Sequence, residues 1–137
     1  MLQAQVLQLI FIAAIYYVFG WKILLYYMAA ALMGILLLEC VNYIEHYGLS
    51  RQKKDNGLYE RAMPHHSWNS NHVIGRLMLF ELSRHSDHHY MASRKYQVLR
   101  HHDDSPQMPT GYPGMMLLAH IPPLWFWLMH RNMRSIQ

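Results

Sequence analysis

From Ala4 to Phe19 the chain is apolar apart from Gln5 and Gln8, and from Ile23 it carries no charge until Glu39 closes the run. A helix over either stretch, rising 1.5 Å per residue, approaches the roughly 30 Å hydrocarbon core of a bilayer with some help from flanking residues. Buried helices in a soluble bundle would still carry a charged face, and neither run offers one. Only Gly20-Trp21-Lys22 separates the runs, which predicts a tight reversal with an interfacial tryptophan. The expected fold is an all-α integral membrane protein. Its residues 1–41 form a hairpin of two transmembrane helices, and 42–137 form a helical, histidine-rich region with an interfacial C-terminal segment. Ala29, Ala30, Ala31 and Gly34 on the second run either narrow an apolar tunnel or allow close helix packing.

Charge is distributed unevenly. All 11 histidines and all but one of the 12 Lys and Arg residues follow Val41. Arg51, Lys53, Lys54 and Arg61 sit just past the second run, so the positive-inside rule places this side in the cytoplasm and Lys22 outside. A net charge of +4 following apolar spans suits a cytoplasmic membrane face, and no nucleic-acid partner is expected. Cys40 is the only cysteine, which excludes an internal disulfide. The first run has neither a basic leader nor a small-residue cleavage site, so a signal peptide is not expected.

Arg84-His85-Ser86-Asp87-His88-His89 places three histidines at i, i+3 and i+4. On a helix they fall within a wedge of roughly 100° and face one point. Neutral imidazole is the commonest metal ligand, and with no nearby cysteine an all-histidine set points to iron or another imidazole-tolerant transition metal. Asn42 and His46, four apart where the second run emerges, share a helix face, and Gly48 is a stop signal. Asp87 can accept from a neighbouring imidazole N–H and fix its orientation, or it can pair with Arg84 or Arg94.

Gln52 to Glu60 is a polar connector with Asn56-Gly57 as its turn, and Pro64 to His72 is dense in hydrogen-bonding groups. His66 and His72 in that loop fit bracing of a site better than ligation. Val73 to Glu81 supplies an amphipathic lead-in. His101-His102-Asp103-Asp104 is discounted as a ligand cluster, because adjacent residues on a regular element point apart. The roles of His65, His66, His72, His101 and His102 stay open. Met115 to Met129 is apolar but interrupted by Pro122-Pro123. It is expected to lie in the membrane interface with Trp125 and Trp127 at headgroup depth, or to pack over the histidine region.

The segments NYIEHYGL (42–49), HSWNSNH (66–72), LSRHSDHH (82–89), YQVLRHHDD (96–104) and PTGY (109–112) closely resemble the bacterial alkane 1-monooxygenases, in that order along nearly the whole chain. Those enzymes are grouped with membrane fatty-acid desaturases and xylene monooxygenases. The resemblance implies a multi-pass protein of the bacterial inner membrane with a di-iron centre held by histidines on the cytoplasmic side. It implies hydroxylation of a terminal alkane carbon, using O2 and electrons from rubredoxin, which an NAD(P)H-dependent reductase supplies. By resemblance His46, His85, His88 and His89 are iron ligands, and Asn42, Glu45 and Asp87 support them. Ser83 stands where the family commonly has glutamine, and Tyr90 replaces a small residue.

The family's HExxH and EHxxxHH boxes are not found in these residues. The remaining ligands of both irons are therefore expected outside this chain, which resembles the C-terminal part of the enzyme and is expected to be inactive alone. Rival readings are a desaturase or xylene-type monooxygenase, and a non-enzymatic membrane protein that binds a metal.

Overall fold

Charged only at Lys22, Glu39 and Glu45 and rich in Leu, Ile, Ala and Tyr, the first third of the chain stays helical through Gly34 and is interrupted at Gly20. A computed structural model describes residues 1–136 and so omits the last residue of the 42–137 region. Its helices are α1 (Leu2–His46), α2 (Val73–Met78), α3 (His85–Tyr90), α4 (Tyr112–Ala119) and α5 (Pro122–Met133), with 3-10 turns at Pro64–His66 and Tyr96–Val98. Two isolated bridges, Lys53 to Tyr59 and Asn69 to Gln107, are the only β pairing among the described residues. The fold divides into two units, Met1–Glu39 and Cys40–Gln137.

In the first unit α1 breaks at Gly20, whose φ of 81° and ψ of 173° suit glycine alone. A straight helix would hold Phe11 and Tyr27 about 24 Å apart. The rings instead meet edge-on with centroids 5.8 Å apart. Trp21 and Lys22, expected within a reversal, are already helical, and the ammonium lies over the indole. α1 is the one helix among the described residues that is long and apolar enough to cross a membrane. Leu7, Phe11, Tyr17 and Leu25 on it are all exposed, so water is a poor solvent for this unit.

The second unit is built around Trp68, which no solvent reaches. Its indole N–H donates to the Tyr47 carbonyl at 2.7 Å, and its backbone N–H donates to Glu45 at 2.8 Å, fixing the loop to the end of α1. Asn69 N–H then donates to Pro106 at 2.7 Å, and Ser70 N–H to Ser83 at 2.8 Å. These bonds tie α1, the residues before α3 and the 105–108 loop to one extended strand of chain, satisfying its buried polar backbone. Val41, Ile44, Met108, Tyr112, Met115, Trp125 and Met129 complete the core.

Helix α1 ends at His46, and Gly48 follows with φ 71°. A Cβ at Gly48 would also collide with the Met133 sulfur. Gly48→Ala is therefore expected to cost at least the roughly 1–2 kcal/mol of an L-residue held left-handed. A lowered unfolding temperature in detergent would register it.

One expectation needs correction, and one pair of alternatives is decided. The amphipathic lead-in is a helix only as far as Met78, and Leu77 and Phe80 are exposed. Phe80 and Glu81 then take φ of 50° and 66°, an uncommon conformation for residues with side chains, held by the Arg76–Glu81 ion pair at 2.8 Å. The resulting turn ends α2 and starts α3. Trp125 is not at a surface: it is 1% exposed and packs against Tyr43 and Tyr47, with centroids 5.5 and 5.3 Å apart. The prolines at 122 and 123 do interrupt the apolar run. They open α5, where a missing N–H costs nothing.

Candidate metal centre

Two elements bring the site together. The last residue of α1 supplies His46, and one turn of α3 supplies His85, His88 and His89. The Nε2 of His46 lies 3.2 Å from that of His89 and 3.4 Å from that of His85. All three nitrogens fall within 4.8 Å of one another. His88 is close by, its ring centroid 6.1 Å from His85 and 5.8 Å from His89, but it does not join that three-nitrogen group.

The hydrogen bonding around the cluster suits a metal. His46 Nδ1 donates to the Asn42 carbonyl at 3.0 Å. A carbonyl only accepts, so a neutral His46 carries its proton on Nδ1 and presents a bare lone pair at Nε2. That lone pair faces two other imidazole nitrogens and can accept an N–H well from only one. A cation at the centre removes the conflict. With metal–nitrogen bonds of about 2.0–2.1 Å, tetrahedral or octahedral angles separate neighbouring ligand nitrogens by roughly 2.9–3.4 Å. The two spacings from His46 match, so the residues present fit a metal.

Asn42 therefore acts through its backbone, and its side chain is exposed. Glu45, fully enclosed, places Oε1 3.2 Å from His85 Nδ1. Despite that distance the angle is poor, and both atoms are left without a hydrogen bond. Burial pushes the Glu45 carboxyl up to about 8, opposed by the neighbouring Tyr112 phenol. Burial likewise holds His85 far below the ordinary histidine range, with His89, His46 and His88 pushing the same way. His89 is lowered by burial and then by His46, His88 and Arg51. Neutral imidazole is the form that binds a metal.

Asp87 anchors α3 from beneath. Fully buried, it accepts from Arg94, from the Arg100 backbone N–H at 2.8 Å and from His102 Nε2 at 2.8 Å. Burial raises its carboxyl, but the Arg100 N–H, His102 and Arg94 together hold it below the usual range. The imidazole it engages is thus His102, from the stretch discounted on spacing, and Arg94 binds it as well. Adjacent histidines do point apart: His101 Nδ1 lies 3.0 Å from Asn69 Nδ2. No sequence signal links residues 87 and 102, because the loop between them sets their proximity.

His66 braces the loop, its Nδ1 accepting the Met63 N–H at 3.0 Å and its Nε2 lying 3.0 Å from Glu60. His65 is exposed, and His72 precedes α2 beside Gly111. A cleft of about 210 Å³ lined by His46, His89, Arg51 and His66 gives access to the imidazoles. Another of about 300 Å³ is lined by His72 and His101, neither of which belongs to the three-nitrogen group.

Fold and site together define a helical protein with one helix suited to a membrane and a histidine cluster suited to a metal. The fatty acid desaturase family profile matches residues 1–119. The chain belongs to that family. It is 55% identical over 117 residues to alkane 1-monooxygenase 2 of Pseudomonas aeruginosa, covering 85% of this chain and 31% of that protein. Against alkane 1-monooxygenase of Acinetobacter baylyi it is 48% identical over 132 residues, or 96% of this chain and 32% of the relative. The xylene/toluene monooxygenase hydroxylase component of Pseudomonas putida is 37% identical over 90 residues, covering 66% and 23%. The chain thus spans about a third of the length of the curated alkane monooxygenases it matches.

Proposed function

We propose that these residues form part of a membrane monooxygenase that hydroxylates the terminal carbon of medium- or long-chain alkanes. The observation that carries this is the convergence of His46, His85 and His89, within a sequence about half identical to alkane 1-monooxygenases. In this reading His46, His85, His88 and His89 hold iron of a di-iron centre, and ligands beyond these 137 residues complete it. His88 stands on the same turn of α3, its ring centroid 6.1 Å from that of His85. Iron held there would supply activation of O2, with one oxygen atom entering a C–H bond and the other leaving as water for two electrons and two protons.

The chain's own residues hold and shield that chemistry. The Asn42 carbonyl fixes the His46 tautomer, and Glu45 packs against His85. Asp87, through Arg94 and His102, holds the helix that bears three imidazoles. The segments on either side of Gly20 each cross the inner membrane, and the histidines lie on the cytoplasmic side with Arg51, Lys53, Lys54 and Arg61. An alkane has no polar handle, so its selectivity must come from an apolar path inside the bilayer. Electrons arrive from rubredoxin and its NAD(P)H-dependent reductase, and the basic face suits an acidic carrier. With four imidazoles the isolated residues do not turn over.

Membranes carrying the complete reading frame, supplied with dodecane, O2 and the electron donors, are expected to form 1-dodecanol, and His46→Ala is expected to abolish it. The 137 residues alone should yield none. Oxidation of xylene with no alkane product would favour the xylene-type enzyme, and an olefin product would favour a desaturase. Retained iron with no O2-dependent product would mean a metal-binding protein without this activity.

A further inference from the structure

Helix α5 has two unlike faces. Trp125 and Met129 point into the core, whereas Leu124, Trp127, Arg131 and Arg134, spaced three, four and three apart, form one outward stripe. Leu124 and Trp127 are 44% and 60% exposed, so the first half of the stripe is apolar. Its second half is cationic. No acidic residue follows Asp104, and the ion pairs among the described residues involve neither arginine. The Arg131 guanidinium lies 5.9 Å from the Trp127 ring centroid, which holds its charge beside the indole. Phe126, Trp127, Arg131 and Arg134, with His130, line a cleft of about 330 Å³. His130 is already engaged, accepting from the Tyr47 hydroxyl at 2.9 Å if its Nε2 is unprotonated.

We propose that this end of α5 binds the headgroup of an anionic phospholipid within a bilayer. The arginines match a lipid phosphate in charge and in donor geometry, and Trp127 is the residue type that settles at headgroup depth. A membrane surface offers anionic charge and apolar depth side by side, which matches the order of Leu124, Trp127, Arg131 and Arg134 along the stripe. The proposal rests on the membrane placement above and is independent of the metal centre.

The test reconstitutes the full chain into phosphatidylcholine vesicles containing increasing amounts of brominated phosphatidylglycerol or brominated phosphatidylcholine. The fluorescence difference between the chain and its Trp127→Phe variant isolates Trp127. Brominated phosphatidylglycerol is expected to half-quench that signal at a roughly tenfold lower mole fraction. The preference should vanish in R131Q/R134Q and survive in R131K/R134K, which keeps the charges and guards against loss of fold. Equal quenching by both lipids overturns the proposal. So does the absence of quenching in a chain that floats with the vesicles, which would leave the basic end to a soluble acidic partner. A chain that does not float overturns the membrane placement as well.

Discussion

Replacing His85 with alanine in the complete membrane protein is expected to strip the centre of iron and end O2-dependent hydroxylation. His85 is the most enclosed of the four candidate imidazoles, at 6% exposure, and it alone touches Glu45 while facing His46. Its loss removes a candidate ligand and leaves Glu45 buried with the Tyr112 phenol as a neighbouring polar side chain. The decrease in metal affinity should exceed the roughly 10–100-fold that changes to a ligand's supporting partners cost. Iron per protein, measured by elemental analysis after purification in detergent, checks this independently of turnover. His65→Ala, at an exposed position, is the control and should retain full iron. Full iron content in His85→Ala would remove the histidine cluster as the metal centre.

Asp87→Ala is expected to produce the largest loss of stability in the second unit. Two stretches converge on this carboxylate, one through Arg94 and the other through the Arg100 N–H and His102, and it is wholly enclosed. Removing one partner of a buried, hydrogen-bonded pair typically costs about 3–5 kcal/mol, because the charge left behind is uncompensated. The effect should reach the metal, since α3 would no longer be held by Arg94 and the 100–102 loop and its histidines would lose their position opposite His46. Thermal unfolding together with iron content distinguishes the two consequences. Asp87→Asn should be milder in unfolding, because it can still accept from one partner. An Asp87→Ala variant with unchanged unfolding and full iron would show that the anchor is dispensable.

How far the site was legible depends on whether its parts are local. The HxxHH spacing needs only helical geometry to bring His85, His88 and His89 to one face, and α3 is a helix over that stretch. His46 next to Gly48 was legible in the same way, since the glycine ends α1 just beyond it. Asp87 stood out because it lies inside the box, yet its partner His102 did not. For Trp125 two places stayed open, the membrane interface and packing over the histidine region, for a similar reason. An aromatic residue near prolines and arginines has the composition of an interfacial anchor, and only the fold reveals Tyr43 and Tyr47 beside it. Asn42 was chosen for its amide, whereas the atom used is its carbonyl oxygen, which every residue possesses.

The sequence by itself determined the apolar first third, the break at Gly20, the helical turn that groups three imidazoles and the family to which the chain belongs. The first three follow from residue type and short-range periodicity, and the family follows from the resemblance of five ordered motifs. Tertiary structure alone decided that the end of α1 meets α3, so that His46 completes a three-nitrogen group, and that Asp87 is held by Arg94 and His102. It also decided which side of α5 faces the core. Those contacts join positions whose separation along the chain carries no helical or strand period. They form because Trp68 and the buried backbone around it must be satisfied, and the packing that satisfies them brings the distant imidazoles together.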